Sequence, residues 1–353
     1  MNILVVGPIY PDSFAFHITE TLQKDGHTVF NFEPRIKYSL SNNRFQIVYH
    51  KIKTTLYKDL SNLKVIRKIK QIGIDKILST KKVDLTISCH DFLESALVDK
   101  IKNETGSIVV MWNPDHFSSV GKLMFLNGKY DFCFFEDPYM PYIFRREFKL
   151  NAYYLPSCFN PDYHRKPDFI DQDQKKYDCD IATVGHIHPS REALIKYLNK
   201  YNVMLWGGAP PNWMNSDQIK KMLTYKQLQF VEKSKAFYYP KIALNTIHPA
   251  NVLGLNCRAF EIAGAGGFQL AGYRLGGHQL FTADKEIVMF QTPDELIEKV
   301  DYYLAHEDER KLIAEAGYIR AQNCHTYKKR LELMFDTIFN GSKGYEMPEI
   351  KLT

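Results

Sequence analysis

The chain segment Asn245–Gly267 combines a helix start, an arginine and a carboxylate at a spacing that could bind a phosphorylated ligand. Asn256 is a good N-cap for a helix to about Ala263, and the free N–H groups of a helix start carry partial positive charge. Arg258 lies in the first turn, so this end of the helix predicts an anion site. Glu261 lies on the same helix face and could accept hydrogen bonds from two hydroxyl groups of a ribose.

The same residues also allow a purely structural interpretation. Arg258 and Glu261 could form an exposed ion pair at i,i+3 on an ordinary helix, and the glycines after them could simply end that helix. In the functional interpretation, Gly266 and Gly267 let the backbone approach a ligand closely. The residue types alone favour neither interpretation.

Further polar and glycine residues follow two predicted strands. The apolar run Ile242–Leu244 predicts a buried strand, and Asn245 and His248 come after it. The predicted strand Asp180–Val184 is followed by Gly185, which would leave room for a phosphate group. Ligands of doubly wound sheets lie at the carboxyl ends of the strands, so these residues are candidates for ligand contact. Capped loops would contain the same residue types.

The stretch Arg258–Phe268, followed by Gly276–Phe281 and Lys285–Val288, resembles the C-terminal domain of CgeB-type (spore-protein) glycosyltransferases. It is similar, more distantly, to the large two-domain nucleotide-sugar transferases that carry a paired-glutamate signature. Glu261 matches the second glutamate of that signature, which implies the ribose contact, whereas Leu253 stands where the first glutamate is expected. The usual contact of that first glutamate with the transferred sugar is therefore not implied here.

The resemblance implies the GT-B fold, an α/β architecture in which two Rossmann-like doubly wound domains face a central cleft. Predicted strands and helices alternate along both halves of the chain, which agrees with this fold. We expect an N-terminal acceptor-side domain over residues 1–156, a linker over 157–177 and a C-terminal nucleotide-sugar-binding domain over 178–325. Residues 326–353 would form a C-terminal helix and tail that could cross back to the N-terminal domain.

Local patterns place several helices. Apolar spacing predicts a helix over Leu63–Leu78, and further helical stretches are expected over Phe92–Lys102 and Asp217–Glu232. The sequence Thr292–Glu295 is a capping box with proline at the first helical position, which predicts a helix start.

Length and composition indicate a soluble protein of two domains. A chain of 353 residues exceeds one typical core, and a hydrophobic share of 45% is ordinary for a globular protein. No apolar run approaches the ~20 residues of a membrane helix, and the N-terminus lacks the features of a signal peptide. The cysteines form no Cys-x-x-Cys pair, which favours reduced thiols. We therefore expect a cytoplasmic protein.

Positive charge is concentrated in the basic segment 51–82, where many lysines and arginines are opposed by only Asp59 and Asp75. The formal net charge of the whole chain is +6. This segment could contact an anionic membrane surface, an acidic acceptor or, as a less favoured partner, a nucleic acid. A solvated helical face would show the same pattern.

Loops that follow strands in the N-terminal half should supply the acceptor side. A general base must reach the acceptor hydroxyl, and a histidine or carboxylate suits this task at neutral pH. Asp115 and His116 are the first candidates, followed by His90 and Asp91. The aspartates could instead cap the helices that follow.

A metal site is the main chemical alternative for the donor. Some transferases bind a divalent metal through Asp-x-Asp, and Asp178 and Asp180 form such a pair at the entrance of a predicted strand. A metal-binding pair should instead follow a strand and face the ligand. His186 and His188 lack a carboxylate or third histidine at suggestive spacing. We therefore expect no metal and no cofactor, so that fixed positive charge, chiefly Arg258, stabilises the departing diphosphate.

The sequence thus predicts a metal-independent glycosyltransferase that moves a sugar from a nucleoside diphosphate sugar to a hydroxyl of a surface glycan, a glycoprotein or a similar acceptor. No dinucleotide fingerprint, nucleophile elbow or phosphate-binding P-loop occurs, which disfavours dehydrogenases, hydrolases and kinases. Two alternatives are a sugar transferase acting on nucleic acid and a catalytically silent nucleotide-sugar-binding protein. The predicted donor-binding residues are Gly185, Asn245, His248, Asn256, Arg258, Glu261, Gly266 and Gly267.

Overall fold

The computed structural model describes residues 1–34, 64–115, 123–211, 213–214 and 216–349, with side chains from Lys68 onward in the helix that begins at Lys64. The chain divides into two compact units, Met1–Phe134 and Phe135–Thr353. The domain limits predicted from the sequence stay predictions.

The first sheet has six strands in the order β2-β1-β3-β4-β5-β6. The pairings of β1 with β2, β1 with β3 and β3 with β4 are parallel. The order reverses beside β1, because β2 lies on one side of it and β3 on the other. Such a reversal is the usual ligand-binding position of doubly wound sheets. The strands are β1 Asn2–Val6, β2 Thr28–Phe32, β3 Leu85–Cys89, β4 Ile108–Asn113, β5 Phe132–Phe135 and β6 Ala152–Tyr154.

Four α-helices accompany these strands in the described part of the chain: α1 Phe14–Lys24, α2 Lys64–Leu78, α3 Ser95–Thr105 and α4 Tyr139–Phe148. The helix predicted over Leu63–Leu78 is confirmed. The helix predicted over Phe92–Lys102 lies three residues later, and Gly106 ends it in the left-handed conformation at φ 66°. Just before this helix, the carbonyl of Leu93 accepts a hydrogen bond from the Tyr130 hydroxyl at 3.2 Å.

The second sheet has five strands in the order β11-β10-β9-β7-β8, and all four pairings are parallel. Its strands are fully or nearly fully buried, as expected for a parallel sheet covered on both faces. The order reverses beside β7, which lies between β8 and β9. The strands are β7 Ile181–Val184, β8 Val203–Trp206, β9 Ile242–Asn245, β10 Gln269–Gly272 and β11 Val288–Phe290.

Nine further α-helices are described in the second unit: α5 Asp171–Tyr177, α6 Pro189–Ile195, α7 Asp217–Met222, α8 Phe230–Tyr238, α9 Cys257–Gly264, α10 Gly277–Leu280, α11 Pro293–Ala305, α12 Glu307–Cys324 and α13 Tyr327–Asn340. The stretch expected to be an irregular linker contains α5. Acidic residues in its first turn and lysines in its last turn suit the helix dipole. The capping box before α11 is confirmed, since Thr292 accepts a hydrogen bond from the Glu295 N–H.

The helical region predicted near Asp217–Glu232 consists of two separate helices, α7 and α8. Leu223 is extended, and the N–H of Thr224 donates to the Leu205 carbonyl at 2.9 Å. Strand β8 lies at the edge of the sheet, so its free carbonyl groups can accept such a bond. This pairing interrupts the helix.

The helix α13 joins the segment before α5 within the second unit. Phe159 and Thr326 form a parallel β-bridge, and the buried Arg330 donates to the carbonyl of Pro156 at 2.8 Å. All six cysteines are free. Among the described residues, no helix has the length and apolar character needed to span a membrane.

Candidate nucleotide-binding site

The helix start predicted from the sequence is present at α9. The Asn256 side chain accepts a hydrogen bond from the Ala259 N–H at 3.3 Å, which makes it the N-cap. Asn256 and Asn245 also exchange hydrogen bonds between their amide groups, at 3.0 and 3.2 Å. Arg258 donates to the same Asn245 oxygen at 3.4 Å. The end of β9 therefore holds both the cap and the arginine of α9.

Gly185 brings the end of β7 against Arg258. Its φ of 115° lies in the region that favours glycine, and a Cβ atom there would lie 2.5 Å from Nη2 of Arg258. Gly207, after β8, approaches the Gly185 carbonyl so closely that a Cβ atom would lie 2.4 Å from the oxygen. Gly185 therefore leaves the space that Arg258 occupies beside the strand ends.

A second guanidinium group lies at the same place. Arg191 in the first turn of α6 is only 2% exposed, and its Nη1 would lie 3.4 Å from a Cβ atom on Gly185. Its Nε donates to the Thr246 hydroxyl at 2.8 Å, and its Nη1 donates to the His186 carbonyl at 2.8 Å. Burial, and then the charge of Arg258, lower the pKa of Arg191 well below its usual value.

No counter-ion for the two guanidinium groups lies among the residues that the structure describes. Neither Arg191 nor Arg258 forms an ion pair with any carboxylate of the residues that the structure describes. The exposed Arg258–Glu261 ion pair of the structural interpretation is therefore absent. Two adjacent positive charges that lack a partner attract an anion, and the N–H groups at the start of α9 add to this attraction.

The sheet topology explains why these groups meet. Gly185 follows β7 and Thr246 follows β9, and the strand order reverses between these two neighbouring strands. In doubly wound sheets, the carboxyl ends at this reversal border a crevice that binds ligands. The predicted residues Gly185, Asn245, Asn256 and Arg258 are thus brought together by the fold.

His248 also lies at this site, beside His188. The two imidazole rings are 4.8 Å apart and meet edge to face at 71°. Burial lowers the pKa of His188 to about 4, with smaller contributions from Arg191, His248, Arg258 and His186 in that order. Positive potential therefore extends from the two arginines over the histidine pair.

Glu261, the predicted ribose ligand, has a basic partner other than Arg258. Its Oε1 lies 2.9 Å from Nζ of Lys233 on α8 and 3.9 Å from Nε2 of His164. Glu261 and Lys233 are 13% and 12% exposed, so the pair is largely shielded from water. The lysine fixes the position of the carboxylate, and the ribose role of Glu261 stays a prediction.

The glycines after α9 have packing contacts. A Cβ atom on Gly267 would lie 2.3 Å from the Phe237 carbonyl oxygen of α8, so α8 could not pack there against another residue type. Gly266 has φ 75°, which favours glycine, and lies against the side chain of Lys166. Ligand contact by Gly266 and Gly267 stays a prediction.

Buried carboxylates fix the loop between β9 and α9. The Oδ2 atom of Asp137, which is fully buried, accepts hydrogen bonds from the N–H groups of Leu253 and Gly254 at 3.0 and 3.1 Å. This is the position where the paired-glutamate signature would have its first glutamate. The Asp137 carboxylate thus binds the loop backbone at Leu253, where the first glutamate of the signature is missing.

Two further residues hold the same loop through Asn251. Glu136 accepts a hydrogen bond from the Asn251 side chain at 3.0 Å, and Arg274 donates to the Asn251 carbonyl at 2.5 Å. Arg274 also donates to the carbonyl of His248 at 3.2 Å. The backbone that presents His248 is therefore bound on two sides. Glu136, directly after β5, thus positions the loop before α9.

Of the predicted base candidates, His90 and Asp91 follow β3, at the reversal of the first sheet. His90 follows β3 in the left-handed conformation, at φ 67°, and its Nδ1 lies 3.5 Å from Oδ2 of Asp115. Asp91 is buried, and burial raises its pKa to about 6. One of its oxygens accepts from the Met124 N–H at 2.5 Å, and the other has no hydrogen-bond partner in the described structure. His116 lies outside the described residues.

The Asp-x-Asp pair has structural roles. Asp180 forms an ion pair with Lys241 at 2.8 Å and accepts from the Asn202 N–H at 3.0 Å. Asp178 is the C-cap residue of α5. His188 accepts from the N–H of Arg191 as the N-cap of α6. Asp180 thus stabilises the start of β7, Asp178 ends α5, and His188 caps the start of α6.

Comparison with known proteins gives the fold a name. A protein-family model described as glycosyl transferase-like matches residues 190–336, which is less than half of the chain. Sucrose-phosphate synthase from Thermosynechococcus elongatus superposes with a TM-score of 0.67 at 13% identity, over 97% of this chain and 100% of that one. This chain has the GT-B fold. No curated protein sequence matches it.

Two further GT-B neighbours cover almost the whole chain. A glycosyltransferase from Rickettsia africae has a TM-score of 0.63 at 14% identity, over 96% of this chain and 99% of that one. Anabaena HepE in complex with UDP and glucose has a TM-score of 0.63 at 12% identity, over 96% and 100%. The predicted fold class is confirmed, and so is the predicted enzyme class, a glycosyltransferase. The narrower CgeB-type resemblance stays a prediction.

Proposed function

We propose that this GT-B protein moves a sugar from a nucleoside diphosphate sugar to a hydroxyl acceptor without a metal ion. Arg258, Arg191 and the start of α9 would bind the diphosphate. The observation that supports this most is the convergence of two guanidinium groups on Gly185 without a carboxylate partner in the described structure. A bound diphosphate would neutralise two charges that repel each other in the unliganded protein.

Fixed positive charge can supply the stabilisation that a metal supplies in other transferases. A hydrogen bond from a charged group contributes about 1.5–3 kcal/mol, and a helix start contributes up to ~2 kcal/mol. These groups are in place before the diphosphate leaves, so little reorganisation is needed during the reaction. The structural roles of Asp180 and His188 also support a metal-independent site.

We propose a UDP-sugar as the first donor to test. The HepE neighbour is described in complex with UDP and glucose. Glu261 would accept hydrogen bonds from the ribose hydroxyls, with Lys233 holding its carboxylate in place. The resemblance to CgeB-type enzymes, which rests on Arg258–Phe268 and the residues after it, agrees with a nucleotide-sugar donor.

The acceptor would be a hydroxyl group of a surface glycan, a glycoprotein or a similar molecule. His90, whose Nδ1 lies 3.5 Å from a carboxylate oxygen of Asp115, is the first candidate for the general base, because the carboxylate can orient the imidazole. Asp91, with its raised pKa, is the second candidate. We place the protein in the cytoplasm, with the basic segment as a contact for the inner membrane surface or an acidic acceptor. Residues 51–63 of that segment lie outside the described residues.

A thermal-shift series with UDP, GDP, CDP and TDP in the presence of a chelator tests the proposal. A ligand that binds only the folded protein raises its melting temperature, so at least one nucleotide should do so at millimolar concentration. The matching nucleotide sugar should then be hydrolysed slowly. A protein that none of the four stabilises would refute the proposal, and binding without hydrolysis or transfer would favour the silent binding protein.

A further inference from the structure

His188 and His248 lie together at the arginine site, and both have surface exposed to solvent. His188 directly precedes α6 and is half-buried, and His248 follows β9 and is exposed. Their rings are 4.8 Å apart. The charged or titratable groups that act on His188 are Arg191, His248, Arg258 and His186. All of them are basic, so the surroundings favour an uncharged imidazole.

The hydrogen bonds of His188 fix the nitrogen that carries its proton. Its Nδ1 accepts from the backbone N–H of Arg191 at 3.3 Å and lies 2.8 Å from the Ser190 hydroxyl. A backbone N–H can only donate, so Nδ1 must present a lone pair. In the neutral ring the proton is therefore on Nε2.

His248 has the same arrangement. Its Nδ1 accepts from the backbone N–H of Ala250 at 3.0 Å, so its proton is also on Nε2. Arg274 and Asp137 hold the loop that carries this ring, as described above. Two neighbouring imidazoles thus each use Nδ1 for local structure and keep an Nε2–H group for another partner.

We propose that the Nε2–H groups of His188 and His248 donate hydrogen bonds to the diphosphate that Arg191 and Arg258 bind. This inference rests on the proposed function, because it assigns further contacts within the same site. Oxygens of a diphosphate accept hydrogen bonds and do not donate them at neutral pH, so they match the N–H donors of the two arginines and the two histidines.

The same tautomer disfavours the two histidines as metal ligands. A metal ion binds a ring nitrogen through its lone pair. Nδ1 of each ring is already bonded to a backbone N–H, and Nε2 carries the proton. Metal binding would therefore require His188 to give up the cap of α6 and His248 to give up its bond to Ala250. The pair favours a phosphate over a cation.

Nitrogen-15 NMR of the full chain with labelled histidine tests the tautomer directly. At pH 7 we expect His188 and His248 to show a lone-pair Nδ1 and a protonated Nε2. Two other histidines serve as internal references. His325 donates from Nε2 to a carbonyl and accepts at Nδ1, so it should show the same pattern. His306 has Nδ1 2.6 Å from the carbonyl oxygen of Tyr302, so it should show the opposite pattern.

UDP binding in the presence of a chelator tests the donor role. Asparagine can keep both local hydrogen bonds, since its side-chain oxygen accepts from a backbone N–H two or three residues ahead. Because a hydrogen bond to a charged group is worth about 1.5–3 kcal/mol, we expect His188→Asn and His248→Asn each to weaken UDP binding about 10- to 150-fold. His306→Asn is the matched control and should leave the affinity unchanged.

The outcomes separate this inference from the proposed function. If UDP binds the unsubstituted protein but neither variant weakens it, the donor role is wrong and the diphosphate site stands. A proton on Nδ1 of His188 or His248 would also overturn the inference, as would displacement of that proton by added Mn²⁺ or Zn²⁺. If UDP does not bind the unsubstituted protein, the proposed UDP site and this inference fall together.

Discussion

Replacement of Arg258 separates binding from folding, because its charge has opposite effects on the two. Within the described part of the chain, Arg258 makes one side-chain hydrogen bond, to Asn245 at 3.4 Å, and repels the buried Arg191. Arg258→Gln keeps a polar side chain of similar reach and removes the charge. The variant should therefore fold at least as stably as the unsubstituted protein.

Binding should change in the opposite direction. Loss of a charged donor to the diphosphate removes about 1.5–3 kcal/mol of binding free energy, which corresponds to an affinity about 10- to 150-fold lower. The like charge of Arg191 remains, so binding should be weakened but not abolished. Arg191 itself is a poorer test, because its replacement would leave buried hydroxyl and carbonyl partners without a donor.

The assay is calorimetric titration with UDP in chelator, together with thermal unfolding of the same samples. Lys200→Gln is a matched control, because it removes one positive charge from an exposed ion pair with Asp301 in the same unit. The control should bind UDP normally. Unchanged UDP affinity in Arg258→Gln, or a loss of affinity accompanied by an equal loss of stability, would refute the assignment of the diphosphate site.

Three further predictions concern neighbouring groups. Glu261→Ala should weaken binding of UDP more than binding of its 2′,3′-dideoxy analogue, and equal losses in titrations of both would reject the ribose role. Asp137→Ala should speed hydrogen exchange at the Gly254 amide and lower the free energy of unfolding by about 1–3 kcal/mol, because a buried N–H loses its acceptor. An unchanged exchange rate at Gly254 would show that the carboxylate does not hold the loop. The pKa of His188 is lowered from 6.5 to about 4, so its contribution to stability is complete above pH 6.5 and is lost as the pH falls towards 4. His188→Asn should therefore lose less stability than the unsubstituted protein across that range, as measured by urea unfolding. The same pH dependence in both proteins would contradict the lowered pKa of His188.

Local sequence signals were sufficient to place the helix start of the site. Asn256 is a cap because of its own side chain, and Arg258 follows from its position in the first turn. Glycine after a strand likewise identified Gly185. These features depend on a few consecutive residues, so the sequence alone predicts them, and the alternation of strands and helices predicts the fold class in the same way.

Long-range contacts could not be predicted. Arg191 reaches Thr246, 55 residues away, and Asp137 binds Leu253, 116 residues away. An arginine in the first turn of α6, six residues after Gly185, was the available signal for Arg191. Lys233 lies on α8, and no local pattern pairs it with Glu261. Such pairings appear only when the fold brings distant elements together.

The helical region predicted near Asp217–Glu232 shows a different limit. Its residues have acceptable helical propensity, but Thr224 pairs with the edge strand β8 and interrupts the helix. Tertiary hydrogen bonding outweighs local propensity at such a place. The sequence gives no sign of this, because the free carbonyl belongs to Leu205 of β8.

Comparison of UDP with uridine, by calorimetry on the unsubstituted protein in chelator, tests the central claim most directly. The two ligands differ only in the diphosphate. If Arg191, Arg258 and the start of α9 bind that group without a metal, UDP should bind at least about 100-fold more tightly, since two or more charge-assisted hydrogen bonds are involved. Equal affinities for UDP and uridine, or a UDP affinity that appears only when Mg²⁺ or Mn²⁺ is added, would contradict the account.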